Sequence, residues 1–219
     1  MPIRLDQRLT AIANLVDYGK VADVGCDHGK LGYYLVSTDR ASEVIATDIS
    51  APSLAKAEEL AKENGVQDVM TARLGNGLEP VADREVDTVI IAGLGGDVIS
   101  DIILRANEQG KRFLHYLLSA NTHPEKVRAA IVKCGHTIVF DETLECAGKT
   151  YTIVKTNEGE STLSSEQIAY GAFFHTSDNF AYFANKEIEG MKNILERNPK
   201  AVELKDKITK LENALQKRN

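Results

Sequence analysis

The 219-residue chain has no tryptophan and only three cysteines, Cys26, Cys134 and Cys146. They are odd in number and widely spaced, with no C-x-x-C pair, which excludes a zinc knuckle or a disulfide framework. They are expected to be small buried hydrophobes. The five histidines do not cluster with them, so no metal is expected. No apolar run approaches the ~20 residues that cross a bilayer. The opening Met1-Pro2-Ile3-Arg4-Leu5-Asp6 lacks the apolar stretch of a signal peptide. The expectation is a cytoplasmic monomer without membrane contact. An excess of positive charge is also missing, since the net charge is −6. Internal repeats and low-complexity tracts are absent too.

What is present is ordinary globular composition, 43% hydrophobic and 26% charged. The length suits one full domain and a smaller unit. Charge is uneven along it. From Lys186 onward there are nine Lys/Arg against six Asp/Glu, a local +3 that leaves −9 for the rest. A basic tail on an acidic body is compatible with a polyanionic partner, although surface lysines alone usually mark solvated helix faces.

Leu5, Leu9, Ile12 and Val16 have helical spacing and predict an amphipathic opening helix over 3–17. Then short apolar runs at 20–25, 43–48, 69–74, 86–93 and 113–119 alternate with helix-length amphipathic stretches at 29–38, 51–64, 95–108 and 123–134. Such alternation predicts a parallel sheet covered on both faces. Ser50 with Pro52 can open one crossover helix, and Thr122 with Glu125 has capping-box spacing for another. Residues 136–144 and 151–155, joined through the glycine of Glu145-Cys146-Ala147-Gly148-Lys149, predict a closing antiparallel hairpin. The polar segment 156–163 reads as a linker, and the boundary is placed between 158 and 159. Beyond it, Ser164 and Gln167 can form a capping box, and helix runs to the end with a break at Asn198-Pro199. Leu204, Ile208, Leu211 and Leu215 oppose Phe180, Phe183, Ile188, Met191 and Leu195, which predicts an antiparallel coiled-coil hairpin. The fold class is therefore α/β: a Rossmann-like sheet of parallel strands with an antiparallel terminal hairpin over 1–158, and a helical coiled-coil domain over 159–219.

The first strand ends in Asp23-Val24-Gly25-Cys26-Asp27-His28-Gly29-Lys30. A nucleotide-type cofactor must come close to such a strand-to-helix turn, where side chains have to be absent or functional. The spacing is not the G-x-G-x-x-G of a dinucleotide fold, which disfavours a nicotinamide oxidoreductase. It fits (D/E)-x-G-x-G-x-G, the first motif of S-adenosylmethionine-dependent methyltransferases, with Asp27 at the central glycine. Gly25, Asp27 and His28 are the candidate cofactor contacts here, against an ordinary turn. Asp48, about 20 residues past the glycine turn and followed by Ile49, is placed to accept ribose hydroxyls, helix capping being the alternative. Asn76 and Gly77 after the third strand are candidates beside an adenine, a plain turn being nearly as plausible. Gly93 and Leu94, in Ala92-Gly93-Leu94-Gly95-Gly96 at the end of the fourth strand, can let backbone approach a ligand. The (N/D)-P-P-(Y/F) segment of many amino-group methylating enzymes is missing there, as is any aromatic clamp.

Arg4–Leu9, Ala22–Leu31, Ala46–Ser50, Gly75–Leu78, Ile91–Gly96 and Ser119-Ala120-Asn121-Thr122, in this order, resemble the bacterial tRNA (adenine-N1)-methyltransferase family that modifies adenosine 22. The likeness spans the full length, and Gly-Cys-Asp-His and Ala-Gly-Leu-Gly-Gly are its sharpest elements. It implies S-adenosyl-L-methionine as cofactor and tRNA as partner. N1 of adenine already owns an in-plane lone pair, so no strong base is needed. Positive charge develops over N1–C6–N6, and a carboxylate there would stabilise it. Asp27 is the candidate for that catalytic task, with a locally bonded turn carboxylate as the alternative; His28 is secondary. Arg8 could hold the cofactor's carboxylate in a bidentate pair, against a solvated helix face. Asn121 could contact the base, or cap a helix. Lys192, Arg197 and Lys200 in the tail are candidate tRNA contacts. Two competing readings keep the fold: a methyltransferase for small molecules or proteins, and an RNA-binding module without catalysis.

Overall fold

The computed structural model describes residues 3–218, so Met1, Pro2 and Asn219, at the outer ends of the two expected units, lie outside the described residues. Helix α1 (Gln7–Asn14) opens the chain, shorter than the 3–17 expected because Asp6 takes the N-cap and accepts the Leu9 N–H. The alternating region then gives β1 (Lys20–Val24), α2 (Lys30–Ser37), β2 (Glu43–Asp48), α3 (Ala51–Glu63) and β3 (Met70–Leu74). It continues through β4 (Thr88–Leu94), α4 (Gly96–Glu108), β5 (His115–Ala120) and α5 (Pro124–Lys133). The hairpin β6 (His136–Cys146) and β7 (Lys149–Glu158) closes it. Three helices follow, α6 (Ser165–Tyr170), α7 (Asp178–Arg197) and α8 (Glu203–Gln216).

The strands form one seven-stranded sheet in the order β3-β2-β1-β4-β5-β7-β6. The first five are mutually parallel, and β7 runs antiparallel between β5 and β6. Both faces are covered. Val89, Ile91, Leu118 and Val154 pack towards α4 and α5, while Ile90, Leu117 and Ile153, one residue out of phase, pack towards α1–α3. Successive strand side chains point to opposite faces, so a strand buried on both reads as a continuous apolar run. Order reverses between β1 and β4, which opens a crevice at their C-terminal ends, the usual ligand position in such sheets.

Sequence expectation and structure differ at several boundaries. Strand β7 continues through Glu158 and absorbs the start of the expected linker, pairing His115–Ala120 of β5 along its length. The hairpin loop is a two-residue turn, Ala147-Gly148, both with positive φ. Thr122 does not cap α5: His123 is the N-cap residue, left-handed at φ 52° and without a side-chain capping bond. Ser50 does cap α3, accepting the Ser53 N–H, and Ser164 with Gln167 forms the expected capping box on α6. The helical tail is interrupted earlier than expected, between Tyr170 and Asp178, where Gly171 has φ 127° and Phe174 is buried. Leu163 and Ala172 pack into the α4/α5-side core. The hairpin proper therefore starts at Ser177, the cap of α7. Its own core is Ala184, Ile188 and Met191 of α7 against Ile208 and Leu211 of α8. Cys26 and Cys134 are buried, but Cys146, at the end of β6, is only half-buried. No helix among the described residues is long and apolar enough to cross a membrane.

A buried ion pair joins the two parts. Arg128 of α5 donates through Nε and Nη2 to Asp141 of β6 at 2.7 and 3.1 Å, and through Nη1 to the Ile168 carbonyl of α6. The Ala172 N–H donates to the same carboxylate.

Candidate active site

The turn between β1 and α2 is built from left-handed residues at every second position: Gly25, Asp27 and Gly29, with φ of 72°, 52° and 70°. Glycine adopts that conformation freely, and Asp is among the few side-chain-bearing residues that tolerate it. Gly29 is also excluded from substitution by space, because a Cβ would lie 2.7 Å from Ala57 Cβ and Met70 Cε. At Asp27 a carboxylate stands where the motif carries a hydrogen atom.

That carboxylate is 77% exposed, and no backbone N–H among the described residues donates to it. The Asp27 carboxylate is thus not tied to the backbone of its own turn. His28 Nε2 approaches Asp27 Oδ1 at 3.4 Å, yet the same nitrogen meets Lys56 Nζ at 3.0 Å. An ammonium has only protons to give, so Nε2 accepts, the ring carries its proton on Nδ1, and the Asp27 contact is not an ion pair in that tautomer. The Asp27 amide instead donates to Asp48 Oδ2 at 3.2 Å, and the Ser50 amide donates to Asp48 Oδ1 at 2.9 Å. These bonds fix the Asp48 carboxylate at the end of β2 beside the turn. Each oxygen keeps a lone pair, and capping α3 falls to Ser50. Ile49 next to it is 76% exposed, an apolar surface at the mouth of the crevice.

Across the crevice, Gly93 at the end of β4 has φ 89°, and the Arg8 guanidinium lies under it, with Nη1 3.3 Å from where a Cβ would be. Arg8 also stacks over Tyr151 of β7, 5.1 Å from the ring centroid. Its Nη1 is buried without an acceptor. Arg8 is therefore not on a solvated helix face. A buried, unmatched guanidinium donor is costly, and an anionic group entering the crevice would satisfy it. Leu94 and Gly25 face one another, Leu94 Cδ1 lying 3.7 Å from the Cβ position of Gly25. Asn76 is exposed in the turn after β3, and the Gly77 carbonyl accepts from Thr47 Oγ1 at 3.0 Å, which ties that turn to β2.

Asn121 closes the crevice from the β5 side. Its side-chain Nδ2 donates to the Gly93 carbonyl at 2.6 Å and its backbone N–H to the Leu94 carbonyl at 2.8 Å. It caps no helix, and its Oδ1 takes no hydrogen bond among the described residues. The loop it begins is clamped on Gly96, whose Cβ position lies 2.2 Å from the His123 carbonyl oxygen. Arg8, Gly25, Asp27, His28, Asp48, Ile49, Gly93, Leu94 and Asn121 thus gather around one crevice, with Asn76 and Gly77 at its β3 end. Lys192, Arg197 and Lys200 are on the remote hairpin instead. Lys192 is bound to Glu212 across α7 and α8 at 2.9 Å, whereas Arg197 and Lys200 are exposed and form no ion pair among the described residues.

Two residues under the turn carry information that spacing did not assign to them. Asp23 is buried, and desolvation raises its carboxyl to about 7, against the lowering effect of the Gly32 N–H and with a further rise from Asp48. One of its oxygens, Oδ2, has no partner. Cys26 is pushed up to about 12 by burial first and then by Asp23, which makes it an inert thiol. For Asp23 the folded value lies above the unfolded one of ~3.9. The folded state thus holds the extra proton between those values, and this group's stabilising contribution is full at low pH and lost as pH rises through about 7. Asp23→Asn should raise the melting temperature relative to the parent at pH 8 and much less at pH 5. A difference that does not change with pH in thermal melts would contradict the burial argument. Among the described residues, no group of three or more His, Cys, Asp and Glu is gathered as a metal would require.

A family model described as a methyltransferase domain matches residues 5–154. The tRNA (adenine(22)-N(1))-methyltransferase of Bacillus subtilis (strain 168) is 30% identical over 173 residues, 78% of this chain and 72% of that one. Among solved structures, Streptococcus pneumoniae Sp1610 in complex with S-adenosyl-L-methionine superposes with a TM-score of 0.85 at 28% identity, covering 97% of this chain and 100% of that one. M. capricolum TrmK in complex with S-adenosyl-homocysteine gives a TM-score of 0.84 at 25% identity, covering 98% and 99%.

Proposed function

The chain belongs to the tRNA (adenine(22)-N(1))-methyltransferase family, and from that premise we propose that it transfers a methyl group from S-adenosyl-L-methionine to N1 of adenosine 22 in tRNA. The observation that carries the reading is the Asp27 carboxylate: exposed beside the glycine turn, with no backbone donor, and within the same crevice as a buried guanidinium that lacks an acceptor. When bound, the cofactor supplies an electrophilic methyl group on a sulfonium. Arg8 would hold its carboxylate and Asp48 its ribose hydroxyls, with His28, Ile49, Asn76, Gly77 and Leu94 lining the remaining walls. Gly25 and Gly93 leave the space that side chains would fill.

Alignment of donor and acceptor is then the main task of the chain. The acceptor N1 has its lone pair, so Asp27 acts on the charge that develops at N1–C6–N6 and takes up the proton that N6 sheds. Asn121, held by Gly93, offers Oδ1 to the same amino group. Because N1 lies on the pairing edge, the adenine must be taken unpaired. Residues 1–158 make up the catalytic unit, and 159–219 supply an arm for tRNA. On that arm Lys186, Lys210 and Lys217 are engaged with acidic residues, as Lys192 is. Arg197, Lys200, Lys205 and Lys207, near the α7–α8 turn, are not paired among the described residues and suit phosphate contacts. The working protein is a cytoplasmic monomer in this reading.

Arg8→Ala should weaken S-adenosylhomocysteine binding by about 10- to 100-fold, the range for losing a hydrogen bond to a charged group. Calorimetry reads it, and an unchanged affinity would remove Arg8 from the cofactor site. The reading as a whole is tested by incubating the protein with labelled donor and either bulk tRNA or the small-molecule fraction of a cell extract. Label entering tRNA is expected. Label confined to small molecules would overturn it.

A further inference from the structure

We propose that the cavity between the β6–β7 hairpin and helix α7 is a second base pocket, which takes an unpaired, amino-bearing nucleobase of the tRNA other than the methylated one. This rests on the tRNA reading above. The cavity has a volume of about 380 Å³, within the small-molecule range of about 300–1,000 Å³. It shares a wall with the catalytic crevice. Asn121 bonds to Gly93 on the crevice side, and Pro124, three residues on, lines the cavity. Ala120, the residue before Asn121, pairs with Thr152 of β7, which also lines it. The two openings thus lie at the same edge of the sheet, the crevice at β1 and β4 and the cavity at β7 and β6, with β5 between them. An RNA strand with one base in the crevice can run along this edge towards the cavity mouth.

The lining selects a base rather than a phosphate. Phe183 borders the cavity half-buried, packed against Tyr182 in a T-shaped pair with ring centroids 5.0 Å apart, and this aromatic pair gives the cavity a wall on which a planar group can pack. Unstacked RNA bases are held by such faces and by hydrogen bonds to their edges. The cationic groups at the cavity are committed, Arg128 to Asp141 and Lys186 to Glu145. Glu142 has no cationic partner: its Oε2 accepts from Ser177 Oγ at 2.9 Å and Asn179 Nδ2 at 3.0 Å, and its Oε1 accepts nothing among the described residues. A phosphate would be repelled there. An exocyclic amino group would complete the carboxylate.

Glu142→Gln and Phe183→Ala should each raise the KM for tRNA about tenfold, the cost of one lost base contact, with kcat and S-adenosylhomocysteine affinity unchanged. Phe183→Tyr should restore it. As a direct probe, 2-aminopurine placed at each unpaired position near adenosine 22 should be quenched by the unaltered protein at one position besides the target, and that quenching should vanish in Phe183→Ala. Wild-type KM in both variants would overturn the second pocket alone and leave the cavity as packing beneath the arm. A protein that methylates no tRNA would overturn the parent reading and this one together.

Discussion

Asp27→Asn should lower kcat for tRNA methylation by about 10²- to 10⁴-fold, the usual worth of a positioned acid–base group. Cofactor affinity should change by no more than about threefold, as for a substitution that keeps backbone and shape. Asn is the informative replacement because the residue is left-handed at φ 52°, which Asn adopts with less strain than Ala, and because Asn keeps the shape of the side chain. The amide that donates to Asp48 survives, so the ribose-side carboxylate stays fixed. Only the charge is removed. Single-turnover rates with saturating donor separate this from a binding defect. If kcat stays within a few-fold of the parent, Asp27 is a turn residue and the stabilising carboxylate must be sought elsewhere.

Asp141→Ala should destabilise the fold by about 3–5 kcal/mol, because it strands the Arg128 charge in the interior rather than merely removing a contact. The Arg128 and Asp141 side chains are 4% and 1% exposed, so water cannot replace the lost partner. The Ala172 amide loses its acceptor as well. At this chain length each kcal/mol is ~2–4 °C, so a melting temperature lower by about 10 °C is expected. Replacing both members by leucine should recover much of it, since a buried pair often does little better than apolar packing. A drop of only one or two degrees in the single variant would show that the interior relaxes around the cation. The pair matters beyond stability, because it joins α5 and β6 to the segment from which the arm departs.

Much of the catalytic unit is legible in the sequence for a physical reason. A sheet covered on both faces forces continuous apolar runs, and a turn that approaches a cofactor forces glycine or a functional residue. Asp27 stands out as a side chain where space favours none. Arg8 could be suspected only through resemblance, since an arginine on an opening helix has no local mark of burial; its position under Gly93 and over Tyr151 comes from three distant segments. Asp23 is the reverse case, a motif residue whose proton affinity depends on burial that spacing does not report. The break at Gly171–Ser177 escapes notice because Ala172, Phe173 and Phe174 continue an apolar pattern that helix and buried loop share. The capping-box spacing at Thr122 misleads because the helix begins one residue later: His123, left-handed at φ 52°, takes the cap position, and the Thr122 carbonyl accepts the Gly96 N–H. The Arg128–Asp141 pair and the cavity beside it are assembled by tertiary structure from residues with no common local signal.

The decisive measurement is mass mapping of an unmodified tRNA transcript after reaction with the protein and S-adenosyl-L-methionine. One added methyl group is expected, as 1-methyladenosine at position 22, and none when that adenosine is replaced by guanosine. Methylation at another nucleotide, on another atom, or undiminished in the replaced transcript would contradict the assignment.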